Sequence, residues 1–269
     1  MPIIKANGIN ISYNEYGQGE PLILIMGLGA SGDKWKDHIA AYKDHFRCIA
    51  IDNRGAGNSS APKEDAYTTE EMAEDVVAVM DSLGIAKAHI HGISMGGAIA
   101  QKIAARYPDR VISLILTSTF ARASNGFRRA IEILRDSNGV VDGETFTHLL
   151  NWMIWSDDYH RDHYDSLVSA ESADADNPTP MSVDAFAAQC NACITHDAFD
   201  ELRNITAPTL VARGGVDYLA PMWVTQELVD GIPNAESYIC EKGGHVHHWE
   251  YLEDFNRATL SFLLKHKGE

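Results

Sequence analysis

The chain is short of positive charge, of cysteine and of long apolar runs, and each shortage excludes something. Its 269 residues carry 22 Lys and Arg against 38 Asp and Glu, a formal charge of −16. Nucleic acid demands a basic footprint for its phosphates, and an anionic membrane surface demands the same, so neither is an expected partner. Of the four cysteines, Cys48 and Cys240 sit in strand-like runs (FRCIAI, ESYIC), where cysteine acts as a small buried hydrophobe. Cys190 and Cys193 form a CxxC inside the helix-like FAAQCNACITH, without the second pair of a zinc site or the context of a redox motif. The first residues, MPIIKANGINISYNEYG, lack the apolar centre of a signal peptide, and the nearby run LILIM is far too short to span a bilayer. The expectation is a cytoplasmic protein with reduced thiols. Hydrophobic residues at 45% and charged residues at 22% are ordinary for a globular chain of this length.

The patterning that is present alternates strand and helix. Residues 2–17 alternate apolar and polar around Asn7-Gly8, which predicts a β-hairpin. PLILIMG (21–27) and FRCIAID (46–52) are apolar without alternation, as in strands buried on both faces. A helix is predicted over 68–83, with Thr68 and Glu71 at capping-box spacing, Met72, Val76, Val79, Met80 and Leu83 on one stripe, and Gly84 as its stop. Strands follow at 86–92 and 111–118, then at 207–214 and 236–244, with helices at 222–232 and 249–267. This predicts a mostly parallel, doubly covered α/β sheet. Between about 118 and 207 no strand is evident. Helical stretches at 127–137, 144–156, 158–172 and 182–196, with a turn at 174–180, read as a helical cap inserted after the strand at 111–118. The division is a core of 1–120 and 200–269 and a cap of 121–199.

HIHGISMGGAIA (89–100) places Ser94 where a strand gives way to a helix. Gly92-Ile93-Ser94-Met95-Gly96 fits G-x-S-x-G, a tight elbow that thrusts the serine hydroxyl outward and leaves no room for side chains two residues either side. A chain of this length shows the bare pattern by chance roughly one time in ten, so its context must carry it. An ordinary strand-to-helix turn is the plain alternative. A phosphate loop is another, but GISMGG has neither G-x-G-x-x-G nor the lysine of G-x-x-x-x-G-K.

A serine needs a base to take its proton, and the base needs an anionic group to orient it. LVARGGVDYLAP places Asp217 just past a late strand, and YICEKGGHVHHWE places His245 just past the last. The order Ser94, Asp217, His245 is the one this chemistry takes on an α/β sheet. The strand end at 117–119 (TST) offers no competing carboxylate. Gly27-Leu28-Gly29 follows another strand, and the N–H groups of Leu28 and Met95 are the expected oxyanion donors, Met95 also lying at a helix amino terminus.

These residues resemble the α/β-hydrolase superfamily over essentially the whole chain, in MGLGAS, D-N-R-G-A-G-N-S (52–59), G-I-S-M-G-G, G-G-V-D and G-G-H-x-x-x-x-E. Within it the chain is similar to the carboxylesterase and 3-oxoadipate enol-lactonase-like group. The resemblance implies a serine hydrolase that attacks a carboxylic ester or lactone without a cofactor. C–C bond hydrolysis, amide hydrolysis and perhydrolysis of the haloperoxidase type use the same triad, and a non-catalytic ligand receptor on the same fold is the reading from another class. The family commonly has His-Gly at the oxyanion turn where this chain has Met26-Gly27, which implies that a polar prop behind the loop is missing.

Other residues are read more plainly. Gly27, Phe120, Trp152 and Trp155 are candidates to line the substrate site, Phe120 because ligands bind at the carboxyl edge of such sheets. His89 and His91 share one strand face and are expected as buried, hydrogen-bonded core residues. His247 and His248, beside His245, lack a full metal-binding pattern and are expected on the surface or packing at the start of the last helix; no metal is expected. Asp157, His160 and His163 read as a solvated helix face. The acidic cap disfavours dianionic substrates unless an inward arginine compensates.

Overall fold

The hairpin forms at Asn7-Gly8, where φ angles of 48° and 82° turn the chain back so that β1 (Ile3–Ala6) pairs antiparallel with β2 (Ile9–Tyr16). The computed structural model describes residues 1–175 and 181–268. Six further apolar runs become β3 (Glu20–Ile25), β4 (Phe46–Ile51), β5 (Ala88–Ile93), β6 (Val111–Thr117), β7 (Thr209–Gly214) and β8 (Ala235–Cys240). They form one eight-stranded sheet in the order β1-β2-β4-β3-β5-β6-β7-β8. β2 pairs antiparallel with β4, and every pairing from β4 onward is parallel.

The uninterrupted apolarity of the central strands has its expected cause. Ile23 and Ile25 of β3 pack into one apolar layer with Met72, Val76, Val79 and Met80 of α2 (Thr69–Ser82) and Ile99 and Ile103 of α3 (Met95–Arg106). Leu22 and Leu24, pointing the other way, pack with Tyr42 of α1 (Lys36–Tyr42) and with Phe262 and Leu263 of a carboxy-terminal helix. Helices therefore cover both faces of a mostly parallel sheet, as the strand–helix alternation predicts. Helix α2 begins at the predicted cap: the Thr68 hydroxyl accepts the Glu71 N–H at 3.1 Å, while the Glu71 carboxylate pairs with Arg54.

Between β6 and β7 lie α4 (Asn125–Ser137), α5 (Gly143–Ile154), α6 (Asp157–Ala175) and α7 (Val183–Thr195). Ser124, Asp142 and Ser182 cap α4, α5 and α7 through side-chain oxygens. Helix α6 kinks at His163, whose φ is −129°. The turn expected at 174–180 falls mostly outside the described residues. A 3₁₀ turn at Phe199–Asn204, unforeseen in the sequence, leads back to β7.

The carboxy-terminal third departs from expectation at two places. The last strand stops at Cys240 instead of running to 244, because Gly243 and Gly244 belong to the loop that carries His245. The closing helix is split: α8 (Met222–Gly231) is followed, beyond β8, by a single turn, α9 (His247–Glu250), and then by α10 (Leu252–Lys265). Tyr251, at φ −125° and ψ 50°, makes the break. Among the described residues no helix is long and apolar enough to cross a membrane.

Candidate active site

Ser94 sits between β5 and α3 with φ 53° and ψ −116°, a left-sided conformation that a non-glycine residue adopts only under strain. The neighbouring glycines explain how the chain tolerates it. A Cβ on Gly92 would collide with the Gly96 carbonyl, and one on Gly96 with the Ile25 carbonyl of β3. A Cβ on Gly97 would press on the Thr119 side chain, so this glycine makes room for the segment after β6.

Two distant loops complete the arrangement. Asp217 follows β7, and its buried carboxylate oxygen Oδ1 accepts the N–H groups of Leu219 at 2.8 Å and Ala220 at 2.9 Å. His245 follows β8, with Nδ1 2.9 Å from Asp217 Oδ2 and 3.1 Å from Oδ1. A carboxylate only accepts, so the Nδ1 proton belongs to the histidine and Nε2 keeps its lone pair. Nε2 lies 3.1 Å from Ser94 Oγ, placed to accept the hydroxyl proton. Burial would raise the Asp217 pKa, but the facing charge of His245 and the hydrogen bonds from His245 and Ala220 outweigh it and hold the pKa below the usual carboxylate value. The structure thus brings together the three residues that the sequence placed 151 and 28 positions apart.

Gly27 crosses directly over the serine: a Cβ there would lie 3.2 Å from Ser94 Cβ and 3.8 Å from Oγ. Among the described residues no acceptor takes the N–H of Leu28 or of Met95, the first residue of α3. Met26, in place of histidine, does not leave the loop unsupported. Asn53 Nδ2 donates to the Met26 carbonyl at 2.9 Å, and Gln189 Oε1, on α7, accepts the Gly29 N–H at 2.9 Å. The expectation of a missing polar prop is corrected, because a core side chain and a side chain from between β6 and β7 supply it together. The motif D-N-R-G-A-G-N-S gains its meaning here. Asp52 accepts the N–H groups of Gly32 and Asn58, at 2.7 and 3.0 Å, and Arg54 is buried against Asp75 and Glu71.

The remaining candidates are placed less uniformly. Phe120 is fully buried, its ring 4.2 Å from that of Phe127 and edge-on to His196. Trp155 stacks on Tyr159 at 4.4 Å, whereas Trp152 is 66% exposed and makes none of these ring contacts. His89 and His91 are fully buried and bonded to Ser113 and Thr117. His247 and His248 are also fully buried, the packing alternative and not the surface one, because α9 tucks both rings against Phe255 at the start of α10. Burial pushes the His247 pKa down to about 3 and that of His248 well below the normal value, so both stay neutral. Burial likewise pushes the Cys190 thiol up to about 12, which leaves the CxxC unreactive. Among the described residues no group of three or more His, Cys, Asp or Glu side chains could hold a metal ion.

Two further residues bear on this site: Ser118 has no signal in the sequence that marks it, and Glu250 closes a motif that does not reveal its partners. Ser118, at φ 48°, donates its hydroxyl to the His245 carbonyl at 2.6 Å, and the same oxygen accepts from His247 Nδ1 at 3.2 Å. Glu250, the last residue of the G-G-H-x-x-x-x-E motif, accepts the N–H of Gly244 at 3.1 Å and both the N–H and hydroxyl of Ser156, at 2.8 and 2.9 Å. It ties the loop of His245 to the junction of α5 and α6.

An eight-stranded sheet with a strained serine elbow at its centre is the frame of a hydrolase, and comparison with known proteins agrees. The profile of the alpha/beta hydrolase fold matches residues 20–251, so the chain belongs to the α/β-hydrolase family. It is 30% identical over 244 residues to RutD of Caulobacter vibrioides, assigned as a carbamate hydrolase, covering 91% of this chain and 90% of that one. It is 30% identical over 267 residues to BpoC of Mycobacterium tuberculosis, assigned as a non-heme bromoperoxidase, covering 97% and 100%. Among solved structures, the enol-lactonase from Burkholderia xenovorans LB400 superposes with a TM-score of 0.86 at 27% identity, over 98% of this chain and 100% of that one.

Proposed function

We propose that the protein is a serine hydrolase that cleaves a carboxylic ester or lactone through an acyl-enzyme on Ser94. The observation that carries this reading is the unbroken hydrogen-bonded line from Ser94 Oγ through His245 to Asp217. His245 Nε2 takes the hydroxyl proton as Oγ bonds to the acyl carbon, and the carbonyl oxygen becomes an oxyanion received by the Leu28 and Met95 N–H groups. Collapse of this intermediate breaks the bond to the alkoxy oxygen, which leaves with the proton from His245; in a lactone it stays tethered to the acyl chain. Water then adds to the acyl carbon as its proton passes to His245, and the second collapse breaks the acyl–Oγ bond, returns that proton to Ser94 Oγ and releases the acid. Asp217 stays ionised throughout and steadies the imidazolium. The helices α4 to α7 act as a cap over a core of 1–120 and 200–269, and Gly27, which crosses over Ser94, borders the acyl site.

Similarity to the enol-lactonase supports the lactone arm of this reading. Similarity to RutD favours a second substrate class, since a carbamate carbonyl would be attacked by the same serine and leave a carbamoyl-enzyme. One panel tests both: p-nitrophenyl esters, simple lactones and alkyl carbamates assayed with wild type and Ser94→Ala. Ester or lactone turnover that Ser94→Ala abolishes is the expected result. Equal rates in the two proteins, or no reaction of wild type with a fluorophosphonate, would sink the mechanism; a fluorophosphonate-inert protein that binds a small ligand would instead be a receptor.

A further inference from the structure

We propose that Gln189, on helix α7, is a positioning residue for the oxyanion donor Leu28, so that a helix from between β6 and β7 forms part of the catalytic frame. This rests on the acyl-enzyme reading above. The Leu28 N–H belongs to a short irregular loop after β3, and an oxyanion donor is useful only if held where charge develops. The carbonyl two residues before Leu28 is held by Asn53 Nδ2 at 2.9 Å, and the N–H one residue after it by Gln189 Oε1 at 2.9 Å. The loop is thereby gripped on both sides of its donor by side chains that come from different parts of the chain.

Gln189 is suited to the task. It is completely buried, and its other end, Nε2, donates to the Arg54 carbonyl at 2.7 Å. Arg54 is itself fixed by Asp75 and Glu71, and it adjoins Asn53 in the chain. The two grips therefore share one rigid support. One turn earlier on α7, Phe186 packs on Gly29: a Cβ at Gly29 would lie 3.1 Å from its ring, and Gly29 itself has φ 73°, which suits glycine. Both faces of the contact are thus filled, one by an apolar ring and one by the amide.

Docking of α7 on the core could in principle be the whole purpose of Gln189, and Asn191 separates that role from positioning. Asn191 Nδ2 donates to the Asp65 carbonyl at 2.8 Å, a contact of the same kind made by the same helix away from the loop. In Gln189→Met the shape is kept and both hydrogen bonds are lost. The expected result is a kcat lowered about ten- to a hundredfold with KM within about twofold of wild type. Inhibition by a trifluoromethyl ketone, whose adduct with Ser94 carries the oxyanion, should weaken in parallel, while the reaction product binds as before. Gln189→Glu, which keeps an acceptor for the Gly29 N–H, should recover part of the rate and serves in place of Gln189→Met if that protein does not unfold cooperatively; it should then show a smaller fall with the same unchanged KM. Asn191→Ala should leave kcat unchanged. An unchanged kcat in Gln189→Met, an effect on KM alone, or an equal loss in Asn191→Ala would overturn the proposal. Activity surviving in Ser94→Ala would instead mark failure of the acyl-enzyme reading.

Discussion

At the scale of single residues the site is a set of strained or buried groups held by named partners. Ser94 and Ser118 both lie at positive φ, at the carboxyl ends of neighbouring strands, and each is anchored by its backbone N–H, to the Thr117 and Ala212 carbonyls at 2.8 Å. Asp217 works by accepting from His245 Nδ1, and an amide there would offer a donor and turn the ring to the wrong tautomer. Asp217→Asn is therefore expected to lower kcat by about 10⁴ with the fold intact, measured by steady-state kinetics beside circular dichroism. Ser118→Ala removes the bond to the His245 carbonyl and leaves His247 Nδ1 without its acceptor. A loss of stability of about 1–3 kcal/mol in urea unfolding is expected, with a fall in kcat; unchanged kinetics would show that the His245 loop holds its place without this bond.

At the scale of elements the informative feature is how the helices between β6 and β7 meet the core. They meet the site's loops at two ends: Gln189 accepts from the loop after β3, and Ser156 donates to Glu250, which also holds Gly244 in the loop after β8. The Val246 N–H adds a bond to the Ile154 carbonyl at 3.2 Å. Glu250→Ala would leave the N–H groups of Gly244 and Ser156 unpaired, at an expected cost of about 2–3 kcal/mol. Because the same carboxylate steadies the segment next to His245, turnover should fall as well. Stability measured by denaturant and activity measured at saturating substrate check the two halves separately; a stability loss with full activity would limit Glu250 to a structural tie. The helices themselves were legible from capping residues and apolar periodicity, with ends off by one to three residues. Their contacts were not, since Gln189 in FAAQCNACITH looks like any polar residue in a helix and its partner Gly29 is 160 residues away.

At the scale of the whole molecule, the buried histidines make stability depend on pH. Burial lowers the pKa of His38 to about 4 and those of His196 and His247 to about 3, from a normal 6.5. In the unfolded chain each takes up a proton near 6.5, whereas in the folded protein it does so only at the lower value. The unfolded state then binds more protons, so this stability is complete above about pH 6.5 and is lost as pH falls toward 4 and 3. Each group contributes a slope of up to about 1.4 kcal/mol per pH unit within its window. Thermal unfolding followed from pH 7.5 to 4.5 should show a falling midpoint at the acid end. A flat profile would mean that these rings gain solvent or partners on protonation.

The sequence by itself determined the strand–helix alternation, the serine elbow and the order of Ser94, Asp217 and His245, because each of these is written locally. Apolar runs, a glycine pair and a polar residue at a strand end act over a few residues, and the sheet then needs only to align the strand ends. Only the tertiary structure decided that His247 and His248 are buried, that Asn53 and Gln189 support the loop carrying Met26, and that Glu250 joins two loops. Those facts depend on which backbone groups, far apart in the chain, are left needing a partner once the layers pack. A hydrogen bond across 160 residues has no period or spacing by which it could be read beforehand.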